Sequence, residues 1–311
     1  MPPIDSVSIV GAGDMGHGFA AQFAREGKDV TLIDHRQSNL DEAAANIMEV
    51  AEFLNEEGLA DLDPDGVVDE VDFTLDRDAG VADADLVLET VTEDLSVKHE
   101  VFSGVAEAAP DDAVLASNTS GIPITDIAEG VPEAEDRIAG CHWWFPPYLL
   151  PTVEVVRGEA TSDETFERLA AFVESVDREP IRVEKDVPGF VWNRLQLAVF
   201  REALHLLERE VASAEDINRA IRDGWAIRSA AIGPFETMDI AGLDLVRTVA
   251  EELNPHLCNA DEPNPLLEEN LSAGRGGIHD GAGIFEYDEE PSEIVRHRDT
   301  TVAAIRRALG E

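Results

Sequence analysis

A chain of 311 residues with 66 acidic against 23 basic side chains carries a formal net charge of −43, and 44% of it is apolar. The apolar content is sufficient for two packed domains, while the acidity excludes a nucleic-acid surface, because phosphates would be repelled. Two cysteines, Cys141 and Cys258, with neither a CxxC pair nor a histidine cluster, point to no disulfide framework and no metal.

The acids are scattered over the whole chain, the pattern of a solvated surface suited to high salt, and only Lys28, Lys98 and Lys185 are lysines. The opening "MPPIDSVSIVGAG" has neither a charged n-region nor an apolar h-region, and no apolar run is long enough for a bilayer. A soluble, cytoplasmic protein is expected.

In chain order, "SVSIV" reads as a short strand ending in glycines. "MGHGFAAQFAREG" then has helical spacing of Met15, Phe19 and Phe23 up to Gly27, and "DVTLIDH" is a second strand. Strand, glycine turn, helix and strand make a βαβ unit. A long helix over "LDEAAANIMEVAEFLNEEG" follows, and the acidic stretch from Asp61 to Asp85 reads as a flexible connection. The strand "DLVLETV", the helix "VKHEVFSGVAEAA" and the strands "AVLASNTS", "RIAGCHWWF" and "TVEVVRG" continue the alternation. Beyond Pro188-Gly189 the pattern turns helical, as in "VWNRLQLAVFREALHLLERE". The expected fold is α/β: an N-terminal Rossmann-like doubly wound sheet over residues 1–186, then a smaller all-α domain over 187–311.

Gly11, Gly13 and Gly16 form GxGxxG between the first strand and helix, where backbone can approach a pyrophosphate at a helix N-terminus. A tight turn alone would also use glycine. Asp34, closing the next strand, adds an acceptor for the adenine ribose hydroxyls and repels a 2′-phosphate, so NAD is expected over NADP; neighbouring Arg36 pulls the other way.

The blocks "GAGDMGHG", "ETVTEDLSVK", "SNTS", "HWWFPPYLLPTVEVV", "PGFVWNRLQ", "GPFETMDIAGLD" and "SAGRGGIHDGAGIFEY" resemble, in order and spacing, the L-3-hydroxyacyl-CoA dehydrogenase family, including its L-gulonate 3-dehydrogenase (lambda-crystallin) branch. The resemblance covers nearly the whole chain. It implies that His142 is the catalytic base with Glu154 as its partner, and that Ser120 and Asn193 contact the reacting group. It also implies that Glu93 and Lys98, with Asp14 and Met15 of the glycine turn, help hold NAD, and that the chain forms a homodimer through its helical domain. The chemistry agrees with the first pair: imidazole can take the alcohol proton near neutral pH, and a carboxylate fixes its tautomer and stabilises the imidazolium.

Taken singly, these residues have plainer readings. His142 could be a satisfied core histidine, Ser120 a helix N-cap, Asn193 an exposed helix residue and Lys98 a solvated charge. Trp143 and Trp144 read as packing. Phe145 stands where relatives usually carry asparagine, and His279 where lysine is common. The activity expected first is oxidation of an L-3-hydroxyacyl-CoA to its 3-oxo compound, with a small substrate as the only partner besides a second copy of the chain. The alternatives are a dehydrogenase of a free small 3-hydroxy acid and a non-catalytic NAD-binding, crystallin-like protein. Residues 37–76, which serve coenzyme A in the CoA-specific relatives, contain neither Lys nor Arg. Arg228 is placed either to grip a free carboxylate or to pair with a surface acid.

Overall fold

The computed structural model describes residues 2–310. Eight strands form one sheet in the order β3-β2-β1-β4-β5-β6-β7-β8. They are β1 (Ser6–Val10), β2 (Asp29–Ile33), β3 (Val71–Thr74), β4 (Leu86–Glu89), β5 (Val114–Ser117), β6 (Ile138–Trp143), β7 (Thr152–Val156) and β8 (Glu179–Val183). All neighbours are parallel except β6 and β7. The central strands β4, β5 and β6 are buried along their whole length, as parallel strands covered on both faces must be.

The helices of this part are α1 (Asp14–Arg25), α2 (Gln37–Glu56), α3 (Pro64–Asp69), α4 (Arg77–Val81), α5 (Leu95–Ala108), α6 (Ile124–Ala128) and α7 (Asp163–Ser175). Alternate strand residues feed two cores: Ile9 and Leu32 pack with α1, α2 and α7, whereas Val10 and Ile33 pack with α5 and α6. Phe23 anchors the first core, with ring centroids of Phe19, Trp143 and Phe172 at 5.8, 5.5 and 5.2 Å. Such pairs each add about 0.5–1.5 kcal/mol beyond their buried area. Trp143 is therefore a packing residue of the sheet.

The acidic stretch from Asp61 to Asp85 corrects the expectation of a flexible connection: it holds α3, β3 and α4. Its acids cap and tie the chain. Asp76 accepts the Ala79 amide at the start of α4, and Asp85 accepts the Asp5 and Ser6 amides where the chain enters β1. β3 is an edge strand of four residues paired to β2, so its outer face tolerates Asp72.

By compactness the chain divides after Arg194, and Arg298 onward returns to the first unit, leaving Leu195–His297 as the second. The physical reason is burial: Phe190 belongs to one core of the sheet domain and Ala303 to the other. The bounding helices are α8 (Trp192–Glu208) and, last in the chain, α14 (Pro291–Leu309). Within the second unit lie α9 (Ala214–Arg219), a π-helical segment (Ala220–Ala226), α10 (Ile227–Ala231), α11 (Pro234–Ala241), α12 (Leu243–Leu253) and α13 (Pro265–Ser272). No residue between 195 and 297 is buried. Among the described residues, no helix is long and apolar enough to cross a membrane.

Candidate active site

Strand β1 delivers the chain at Val10 into a turn built on glycine. Gly11 has φ +113°, and a Cβ on Gly16 would lie 1.9 Å from the Gly11 carbonyl oxygen, so α1 begins hard against the strand end. A Cβ on Gly13, by contrast, would meet nothing within 4 Å. Gly13 is also the N-cap of α1 and offers no side-chain acceptor, which leaves the amides of the first turn, around Asp14 and Met15, facing an open cradle. Asp34 Oδ2 accepts the Ala12 amide at 3.0 Å, and Oδ1 accepts the Arg36 amide and Asn39 Nδ2, both at 3.0 Å. The carboxylate is thus fixed against the turn, and Oδ2 keeps acceptor capacity beyond its single amide. An anion cradle with a ribose-accepting acid at its edge fits a dinucleotide.

The antiparallel register of β6 and β7 sets His142 directly opposite Glu154. His142 Nδ1 lies 2.7 Å from Glu154 Oε2, with both side chains buried. Glu154 Oε1 accepts the amides of Val191 and Trp192 at 2.8 and 2.9 Å, so one carboxylate both orients the ring and anchors the start of α8. Burial by itself pushes this carboxyl up, but the His142 ring and the two amides outweigh it and hold Glu154 below the usual carboxylate range. With Nδ1–H committed to Glu154, Nε2 carries the lone pair available as a base. The neighbouring Cys141 is no nucleophile: burial pushes its thiol up to about 12.

A second network rises from β4 and β5. Lys98 Nζ contacts both Glu89 oxygens at 2.8 and 3.0 Å and Glu93 Oε2 at 3.2 Å. Its side chain is 1% exposed, which rules out the solvated-charge reading. Glu89 also accepts the Ser117 hydroxyl at 2.6 Å. Glu93 Oε1 accepts the Thr119 hydroxyl and the Ser120 amide at 2.6 and 2.9 Å. Burial raises the Glu93 carboxyl, but Thr119, Lys98 and the Ser120 amide together draw it below its ordinary value. Asn193 Nδ2 donates to the Ser120 carbonyl at 2.6 Å, closing the loop from the dyad through α8 to Ser120. Ser120 caps no helix, since α6 starts at Ile124 behind Pro123; its hydroxyl makes no hydrogen bond among the described residues.

Sequence reasoning missed Glu89, Ser117 and Thr119. Glu89 sits at the head of "ETVTED", where a buried strand ending in an acid near one of three lysines was the available signal. Arg228 is exposed on α10 in the second unit and makes no ion pair or side-chain hydrogen bond among the described residues. His279 is exposed in a short 3-10 turn. No group of three or more potential metal ligands occurs among the described residues.

Residues 6–187 match the family model for the 3-hydroxyacyl-CoA dehydrogenase NAD binding domain, and residues 189–287 match that for its C-terminal domain. The chain is 38% identical, over 98% of its own length and 98% of the relative's, to 5-formyl-3-hydroxy-2-methylpyridine 4-carboxylate 5-dehydrogenase of Mesorhizobium japonicum. A crystal structure of an enzyme of that name, an NAD+-dependent dismutase, superposes with a TM-score of 0.91 at 36% identity, covering 99% of each chain. The (S)-3-hydroxybutyryl-CoA dehydrogenase of Ralstonia eutropha gives 0.74 at 31% identity, covering 92% of this chain and 100% of its own. With the glycine cradle supporting the cofactor, the chain belongs to the 3-hydroxyacyl-CoA dehydrogenase family and is an NAD-dependent oxidoreductase acting on CH–OH.

Proposed function

We propose that the chain oxidises the hydroxyl of a compact, free hydroxy acid, not of a CoA thioester. The observation that carries this reading is the reach of the similarity, which runs end to end with an enzyme named for a free pyridine carboxylate. The absence of Lys and Arg over residues 37–76 supports it, because coenzyme A brings phosphates. Bound NAD supplies the hydride acceptor. The cradle of Gly11, Gly13, Asp14, Met15 and Gly16 takes its pyrophosphate, and Asp34 takes its adenine ribose. Lys98, through Glu89 and Glu93, holds the Ser120 loop in place from below. His142 Nε2 takes the alcohol proton, Glu154 stabilises the imidazolium that forms, and Ser120 and Asn193 orient the reacting group. A second reading, oxidation of an L-3-hydroxyacyl-CoA, is favoured by the names of both matched family models.

Arg228 distinguishes the two. Its guanidinium makes no ion pair among the described residues, and it would grip a substrate carboxylate through a charge-assisted pair. Arg228→Met is expected to raise KM for a free hydroxy acid roughly ten- to a hundred-fold with little change in kcat. If the parent oxidises L-3-hydroxybutyryl-CoA efficiently and Arg228→Met leaves that rate and KM unchanged, the free-acid reading fails.

The second unit supports a homodimer. It buries no residue, and Leu195, Leu197, Phe200, Ile227, Phe235 and Ile240 are all exposed on it. A helical unit without a core needs that apolar surface covered. The net charge of −43 makes the covering salt-dependent, since like charges repel until screened. Mass measured by sedimentation is expected to be that of a dimer in molar KCl, falling to monomer or unfolded chain after dialysis to low salt. A monomer in molar KCl would contradict the proposal.

A further inference from the structure

The turn that joins the two strands of the dyad, from Phe145 to Tyr148, is fastened from three sides. Pro147 packs on α1 at Gly18, where a Cβ would come within 2.6 Å of the proline ring. Arg178, buried behind the turn, donates through Nη2 to the Tyr148 carbonyl at 3.2 Å, the Pro147 carbonyl at 3.4 Å and Gln22 Oε1 of α1 at 2.6 Å. These two fastenings lie inside the sheet domain.

The third comes from the middle of α14. Arg298 places its guanidinium over the Phe145 ring, 5.1 Å from the centroid, and binds Asp299 Oδ1 through Nε and Nη2, each at 2.7 Å. Asp299 is buried and accepts the Tyr148 hydroxyl. Further along the helix, Ala303 is fully buried in the core, and Thr300 donates to Glu57 just past α2, at 2.9 Å. Arg307 reaches the same Glu57. The segment is therefore docked along its length by core burial, ion pairs and hydrogen bonds.

Two features tie it to selectivity. It lies beyond residue 287, where the matched family regions stop. Phe145, three residues after the base, is 46% exposed, an aromatic ring held at the surface by a cation instead of by the core. We propose that Arg298–Leu309 is a strap that sets substrate size: by fixing Phe145 and Tyr148 in the turn that leaves β6 just past His142, it excludes an acyl thioester and admits a compact hydroxy acid. Phe145 is the specificity-determining residue, and Arg298 and Asp299 position it. The strap rests on the free-acid reading above.

The test is calorimetric binding of acetoacetyl-CoA to the NADH-saturated, full-length protein, with turnover of L-3-hydroxybutyryl-CoA measured in parallel. The parent is expected to bind the thioester too weakly to detect at millimolar concentration. Phe145→Ala, and separately the pair Arg298→Ala with Asp299→Ala, should bind it and turn the substrate over about tenfold faster than the parent, with NADH affinity unchanged. A parent that binds and oxidises the thioester readily overturns the free-acid reading, and the strap with it. A parent that refuses it, beside a cooperatively melting Phe145→Ala that refuses it equally, overturns the strap alone. Phe145 is exposed, so that variant decides the matter even where the double variant fails to fold.

Discussion

Replacing His142 by alanine is expected to cut NAD reduction by about a hundred- to ten-thousand-fold, the range of a lost general base, while NAD still binds. The separation of the two effects follows from geometry. The glycine cradle and Asp34 are built by β1, α1 and β2, and none of their hydrogen bonds involves β6. Removal of the ring leaves Glu154 with the Val191 and Trp192 amides, so the start of α8 keeps its anchor. Because those amides and the ring together hold Glu154 below the usual carboxylate range, it is anionic across the neutral region. Glu154→Gln keeps the shape but not the charge and should lose less, mainly in kcat. Steady-state rates with calorimetric NAD titration check both variants, and an unchanged rate in His142→Ala would remove His142 from the mechanism.

Lys98→Met is expected to be the most destabilising single change in the sheet domain, at about 3–5 kcal/mol, the usual cost of stripping one partner from a buried ion pair. Glu89 is 1% exposed and would lose both of its contacts to the ammonium, keeping only the Ser117 hydroxyl and the Val91 amide. Glu93 would lose its Lys98 contact while still holding Thr119 and Ser120. The same variant should therefore lower kcat through a loosened Ser120 loop. Unfolding in molar KCl measures the first effect. A melting temperature equal to the parent's would mean that the charge pair is no better than an apolar filling.

The parts of this fold legible in the sequence were those with a periodic apolar signal. β1, α1 and β2 announce themselves through β-branched runs around a glycine triplet, and the burial of Phe19 and Phe23 follows from their spacing. β3 was not legible, because a four-residue edge strand with Asp72 in it has neither length nor alternation and owes its pairing to β2. The acids around it looked like a solvated linker, whereas Asp76 and Asp85 bond backbone amides. At the site, the His142–Glu154 pairing was expected from the family resemblance, since either residue taken singly has a plainer reading, and the register of β6 and β7 sets the two opposite each other. The second job of Glu154, on the amides of Val191 and Trp192, was not, because it depends on where α8 begins in space. Lys98 was noticed for its rarity, but its burial between Glu89 and Glu93 is a tertiary fact that helical spacing does not carry.

Hydride tracing tests the central claim most directly. The protein in molar KCl is mixed with NAD and a free hydroxy acid deuterated at the carbinol carbon, L-3-hydroxybutyrate and L-gulonate in turn, with deuterated L-3-hydroxybutyryl-CoA alongside. The account predicts that deuterium from a free acid appears in the reduced nicotinamide, that the thioester transfers little, and that His142→Ala transfers neither at a comparable rate. Efficient transfer from the thioester, with none from either free acid, would contradict it.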